Sequence, residues 1–78
     1  MNSITDLKFD ILASLFAEPC SGPALCQRDF CKKFAPYIIH IHLMGLVRDG
    51  LVKQTKRGQY KAYRTKARKL LNEKGYEL

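Results

Sequence analysis

Acidic side chains are scarce in the C-terminal part of this sequence. Residues 51–78 contain nine lysines and arginines but only two acids, Glu73 and Glu77, whereas residues 1–50 contain five cations and five acids. The whole formal net charge of +7 therefore falls on the C-terminal part. A surface that serves only solubility usually mixes both signs, so this imbalance indicates a polyanionic partner; a plain solvated basic face is the alternative.

Long hydrophobic runs and several enzyme motifs are also missing. No stretch approaches the roughly 20 apolar residues of a membrane-spanning helix, so no membrane partner is expected. The first ten residues, MNSITDLKFD, contain acids and no basic leader, which argues against a signal peptide. There is no glycine-rich phosphate loop and no promising pair of carboxylates. We therefore expect a cytoplasmic protein that is not an enzyme.

The sequence has three cysteines, Cys20, Cys26 and Cys31. An odd number without a secretion signal argues against a disulfide framework and for reduced thiols. The C-x5-C spacing of the first two differs from that of a usual zinc site. His40 and His42 are two residues apart, so on a helix they point in different directions. We expect no metal or cofactor, and expect the cysteines to be buried as small apolar residues.

The spacing of apolar residues predicts three helices before residue 50. The first begins at a capping box, Ser3-Ile4-Thr5-Asp6, and ends at Glu18-Pro19. Residues 20–22 form a link in which Ser21 caps a second helix with Pro23 in its first turn. This second helix is expected from Pro23 to about Lys32, with Leu25, Cys26 and Phe30 inward. The third is expected from Pro36 to about Asp49.

A change of period follows the third helix. Gly50 is expected as a left-handed cap. Residues 51–55 and 59–64 are predicted to be two short strands joined by a turn at Lys56-Arg57-Gly58. A short basic helix from Lys66 to Lys74 completes the chain. The predicted fold class is mainly α with a small β-hairpin, in a single domain over residues 1–78.

Two segments resemble a known family of regulators. The segment IHIHLMGLVRDGLV, residues 39–52, resembles the V-x-x-H-L-x-x-L-x-x-x-G-L-V core of ArsR-like and MarR-like bacterial regulators. The segment RGQYKAYR, residues 57–64, is similar to their R-G-R-Y-x-x-Y-R wing. The resemblance covers about residues 20–65. It implies a winged helix-turn-helix fold (helix-helix-helix-hairpin wing-helix) and a sequence-specific DNA-binding transcription regulator, in particular a repressor.

The resemblance also implies where duplex DNA would bind. In a winged helix-turn-helix the third helix enters the major groove while the hairpin reaches the flanking backbone. Cations there neutralise phosphates, and an arginine at the wing tip can enter a minor groove. The candidate DNA-binding residues are Lys32, Lys33, Tyr37, Ile38, His40, Ile41, Met44, Arg48, Lys53, Lys56, Arg57, Gln59, Lys61 and Arg64.

The third helix is unusually apolar for a helix that reads bases. If Ile39, Leu43 and Leu46 face inward, the outward residues include Ile38, Ile41 and Met44, none of which can form a hydrogen bond with a base edge. Two alternatives stay open: contact with DNA, or an apolar interface with a protein partner or a second copy of the chain.

A homodimer is expected because one chain supplies one recognition helix, and such proteins usually bind two-fold-related sites. The dimer contact is expected on the first helix or on the terminal helix around Leu70, Leu71 and Tyr76.

Overall fold

A computed structural model describes residues 4–76, with side chains from Leu7 onward. The elements are α1 (Ile4–Ala17), β1 (Cys20–Ser21), α2 (Gly22–Cys26), α3 (Pro36–Arg48), β2 (Val52–Gln54), β3 (Gln59–Ala62) and α4 (Arg64–Glu73). The domain is mainly helical with a small antiparallel sheet, as predicted. The capping box proposed for the first helix needs the side chains of Ser3 and Asp6, which lie outside the described residues. None of the described helices has the length and apolarity to cross a bilayer.

The core lies between α1, α3, α4 and the inner face of the sheet. Helix α1 contributes four fully buried side chains at helical spacing, which explains why it runs through the centre of the domain. The residues buried to 2% exposure or less are Leu7, Ile11, Leu12, Leu15, Leu25, Cys31, Ile39, Leu43, Leu46, Val52, Ala67 and Leu71. Three of these are the inward positions predicted for the third helix.

Gly50 forms the corner between α3 and the sheet. Its φ of +76° is the left-handed conformation that a residue with a side chain resists. The N–H of Leu51 donates to the carbonyl of Leu46 at 3.0 Å, which closes the end of the helix. The chain then reverses and buries Val52 at the start of β2. The glycine cap and the end of this helix were both predicted, to within one residue.

Strand β3 is the centre of a three-stranded sheet with the order β1-β3-β2. The hairpin was predicted, but β1 was not: Cys20 and Ser21 were interpreted as part of a link. They pair with Tyr60 and Gln59 in an antiparallel register. A strand of two residues is too short to show the alternation by which strands are recognised in a sequence.

Helix α2 is much shorter than predicted. Its start is confirmed, because the Ser21 hydroxyl accepts a hydrogen bond from the N–H of Ala24 at 3.3 Å. The helix ends at Cys26, and the predicted extension to Lys32 is wrong. Turns follow instead, in which the N–H of Cys31 donates to the carbonyl of Arg28 at 2.9 Å. These turns bury Cys31, while Cys26 and Phe30 are only half-buried.

Two arginines complete the C-terminal end of α1, where helix carbonyls lack partners within the helix. The guanidinium of Arg28 donates to the Ser14 carbonyl at 2.9 Å, to the Ser14 hydroxyl, and to the Glu18 carbonyl at 3.0 Å. Arg64 donates to the Phe16 carbonyl at 3.3 Å. Both positive groups also suit the negative end of the helix dipole.

Helix α4 begins two residues earlier than predicted and packs on α1 through Ala67 and Leu71. Because Leu71 is fully buried in the chain's own core, it is not available for the dimer contact that was expected there. Tyr76 also turns back toward α1, and its hydroxyl donates to a carboxylate oxygen of Asp10 at 2.5 Å.

Candidate nucleic-acid interface

Helix α3 exposes a narrower face than the sequence predicts. Tyr37 is 67% exposed and Ile41, one turn later, is 61% exposed. Ile38 and Met44, both expected on the outer face, are instead half-buried and pack against the core. Their position at the sides of the helix explains this, since the helices and sheet around α3 cover more than its innermost face.

The solvent-facing strip of α3 is therefore formed by Tyr37, His40, Ile41 and Arg48, which are all exposed. Three of these four side chains carry hydrogen-bonding groups, in agreement with what base edges and phosphates require. Of the three apolar residues expected on the outer face of this helix, only Ile41 is exposed. The strip can serve a polar partner as well as an apolar one.

The N-terminal end of α3 is open. Ala35 is the residue that precedes the helix and provides no side-chain cap, and the first turn contains no acid. Lys32 and Lys33 are exposed just before it. Lys32 lies 3.6 Å from Asp29 in an exposed ion pair, of a kind that contributes little to stability and exchanges easily.

The hairpin separates its apolar and basic residues by face. Val52, Tyr60 and Ala62 point into the core, while Lys53 and Lys61 are exposed. The register places Lys53 directly opposite Lys61 on neighbouring strands. Like charges in this position destabilise a sheet. Among residues 7–76, whose side chains the structure describes, neither lysine takes part in a salt bridge; the ion pairs found there are Lys8–Asp49 and Lys32–Asp29.

The turn of the hairpin presents two further cations. Lys56 and Arg57 are exposed, and Gly58 follows with a φ of +81°. The N–H of Gly58 donates to the Thr55 carbonyl at 3.0 Å. The Thr55 hydroxyl accepts from the N–H of Gln59 at 3.2 Å, so the turn is closed without its cations. Both cations are left facing solvent.

Two of the candidate residues also have partners within the domain. The ammonium of Lys53 lies 5.6 Å from the centre of the Tyr63 ring. The guanidinium carbon of Arg64 lies 4.4 Å from the centre of the Phe16 ring, in addition to its hydrogen bond to the Phe16 carbonyl. Arg64 is therefore set apart from the hairpin cations, because it joins α4 to the end of α1.

Two of the three cysteines, Cys20 and Cys31, are buried in the core. Burial raises the pKa of the Cys31 thiol to about 11, and burial also raises the pKa of Cys20. Both are protonated at neutral pH, whereas the thiolate is the nucleophile and the metal ligand.

Cys26 and His40 line an open cleft of about 460 Å³ between α2 and α3. Among the described residues, no three histidines, cysteines or acids come together as a metal site requires.

Sequence reasoning missed two cations on α4. Arg68 and Lys69 line a surface depression together with Arg64. Residues 66–74 were predicted to be a basic helix, but none of their cations was named as a candidate DNA contact. Only the helical register, which begins at Arg64, brings the three cations onto one face.

No protein-family model, curated protein or solved structure matches this chain.

Proposed function

We propose that this chain is a winged helix-turn-helix domain that binds duplex DNA as a transcription regulator, in particular a repressor. In this proposal α3 enters the major groove and the hairpin of β2 and β3 is the wing. The order of the elements supports the assignment, since a short cap at Ser21 precedes α2 and a basic hairpin follows α3 across Gly50.

The single observation that carries the proposal is the charge of the hairpin, which no acid among the described side chains neutralises. Lys53 and Lys61 repel one another across the strands, and Lys56 and Arg57 extend the same charge to the turn. A fold gains nothing from opposing lysines. These cations can instead bind the phosphates of a DNA backbone, and each neutralised phosphate releases counterions and so increases affinity.

The exposed strip of α3 supplies the second element of the interface. The helix has 13 residues and is therefore about 20 Å long, enough to lie in a major groove. Tyr37 and His40 are placed in its first turns and can donate to bases or phosphates. Ile41, one turn after Tyr37, can contact a thymine methyl group.

The proposal is tested by fluorescence anisotropy with a labelled duplex over a salt series. Replacement of Lys56 and Arg57 by alanine removes two exposed cations, and is expected to lower the slope of log K against log salt by about 1.8, or 0.9 for each phosphate contact. The matched control replaces Lys66 and Lys74 by glutamine, which removes the same charge outside the hairpin. No binding at low salt, or an equal loss in the control, contradicts the proposal.

A second candidate function is favoured by the exposure of Ile41 next to Tyr37. An apolar residue that is 61% exposed beside an exposed tyrosine can anchor a protein partner or a second copy of the chain. The variant Ile41→Ser separates the two functions, because Ile41 is too exposed for the change to harm folding. If this variant binds DNA normally but loses self-association or a protein partner, α3 is a protein interface.

Dimer formation remains part of the proposal, since one chain provides one α3. Sedimentation equilibrium with and without a duplex measures it directly. Two chains per duplex are expected, with cooperative binding to a two-fold-related site.

A further inference from the structure

Helix α4 carries a second basic surface, which is separate from the hairpin. Five side chains line an open depression of about 550 Å³: Arg64, Thr65, Arg68, Lys69 and Asn72. Thr65, Lys69 and Asn72 point away from the core, while the two arginines lie at the edge of the stripe formed by the buried Ala67 and Leu71. Among the described residues, every side chain that lines the depression is a cation or a neutral hydrogen-bonding group, and none is a carboxylate.

The two arginines of this surface are held in position by the domain. Their guanidinium carbons lie 4.4 Å (Arg64) and 5.7 Å (Arg68) from the centre of the Phe16 ring. Arg64 is fixed further by its hydrogen bond to the Phe16 carbonyl. Stacking on an aromatic ring restrains an arginine side chain while its N–H groups remain free to bind, so less entropy is lost when an anion arrives.

The cations of this surface are not neutralised within the described part of the chain. The salt bridges recorded there involve Lys8 and Lys32, neither of which is on α4. The surface is also separate from the turn of the hairpin, because Gly58 and Arg64 lie at opposite ends of β3, whose four residues span about 13 Å of extended chain.

We propose that this face of α4 is a second phosphate-binding surface and that it takes the phosphodiester backbone of a nucleic acid. Arginine forks match phosphate oxygens in geometry as well as charge. The depression is open and lies along the helix, a shape suited to a chain that passes across it. The surface does not depend on DNA binding by the hairpin. If both surfaces bind, one protein contacts two segments of backbone.

The test is a titration of the isotopically labelled protein, followed by the amide resonances in NMR spectra. A short duplex is added to one sample and inorganic phosphate to another. The amides of Thr65, Arg68, Lys69 and Asn72 are expected to shift and saturate with the duplex at concentrations where inorganic phosphate causes only small changes. Equal saturation by inorganic phosphate overturns the assignment to a nucleic-acid backbone.

A paired set of variants measures the contribution of this surface to affinity. The double variant Arg68→Gln, Lys69→Gln is expected to lower the salt slope of duplex binding by about 1.8. The double variant Lys66→Gln, Lys74→Gln removes the same charge from α4 and its C-terminal end but outside the depression, and is expected to leave the slope nearly unchanged. If the two double variants lose equal slope, the α4 surface is not a specific site.

The outcomes for the two surfaces are distinguishable. Shifts confined to the hairpin and α3 overturn the proposal for α4 and leave the proposed function intact. Shifts confined to α4 support this second surface and contradict the role assigned to the hairpin. No shift in either region overturns both.

Discussion

The variant Lys61→Glu is expected to stabilise the fold and to weaken DNA binding at the same time. Lys61 faces Lys53 across the two strands of the hairpin, and no acid is paired with either within the described residues. Glutamate reverses the sign of this interaction. It also leaves Lys53 in place over the Tyr63 ring.

The size of the gain in stability follows from the position of the pair. Directly opposite charged side chains change the stability of a sheet by roughly 0.2–1 kcal/mol, favourably for opposite charges and unfavourably for like charges. Both side chains are exposed, so screening reduces this value. The change from repulsion to attraction is therefore expected to add about 0.5–1 kcal/mol to the free energy of unfolding. In a domain of this size, that raises Tm by roughly 2–8 °C.

The loss of affinity follows from the same charge change. Lys61→Glu removes one phosphate contact and places an anion beside the backbone, so the salt slope of duplex binding is expected to fall by at least about 0.9. The assays are urea unfolding at low salt and anisotropy with a labelled duplex. Lys61→Gln is the control for side-chain length, and should show about half of each effect.

Restoring the like-charge pair provides an internal check. The double variant Lys53→Glu, Lys61→Glu again opposes two like charges, and should lose the stability gained by the single variant. If Lys61→Glu stabilises the fold but leaves affinity and salt slope unchanged, the hairpin does not bind DNA. If it destabilises the fold, the repulsion inferred from the register is wrong.

Three further predictions concern the fold. Arg28→Ala should lower the free energy of unfolding by roughly 2 kcal/mol, because the end of α1 loses charged hydrogen bonds, and Arg28→Lys should recover little of it since lysine lacks the fork. Gly50→Ala should lower the free energy of unfolding by roughly 1–2 kcal/mol, because Gly50 has a φ of +76°. Gly45→Ala should raise it by about 0.5–1 kcal/mol, because an added Cβ there meets open space within a helix. Chemical unfolding of both variants measures the contrast. Burial raises the pKa of Cys31 above its ordinary value of 9.0 to about 11, so the protonated thiol is favoured in the folded state. The contribution of this thiol to the free energy of unfolding is complete below pH 9 and is lost as the pH rises through 11. Unfolding curves at pH 8 and pH 11 should therefore lie further apart for the wild type than for Cys31→Ala.

The parts of the fold that the sequence predicts well are those with local signals. Helix α3 has a proline at its start and a glycine after its end, and both act on the backbone next to them. Ser21 caps α2 for the same local reason. The C-terminal end of α2 has no glycine or proline to mark it. A continued helix and a series of turns both place residues three or four apart on one side, so the spacing of apolar residues does not distinguish them. The apolar spacing around Cys31 therefore fits either structure.

The sequence likewise predicts those features of the candidate site that depend on local patterns, but not those that depend on contacts between distant residues. The exposure of Lys61 follows from the alternation of β3, which the sequence displays. The pairing of Lys53 with Lys61 follows from a register that the turn sets. The roles of Arg28 and Arg64 at the end of α1 depend on contacts between residues distant in the chain, and charge alone does not reveal them. The half-burial of Ile38 and Met44 likewise depends on which elements surround α3.

Selection of bound sequences from a random duplex library tests specific DNA recognition most directly. The wild-type protein is expected to enrich a two-fold-related sequence, and His40→Ala on the exposed strip of α3 should relax the preference at one position per half-site, with phosphate-dependent affinity largely kept. A library that remains unenriched at moderate salt, with equal binding of all duplexes, would contradict a sequence-reading α3.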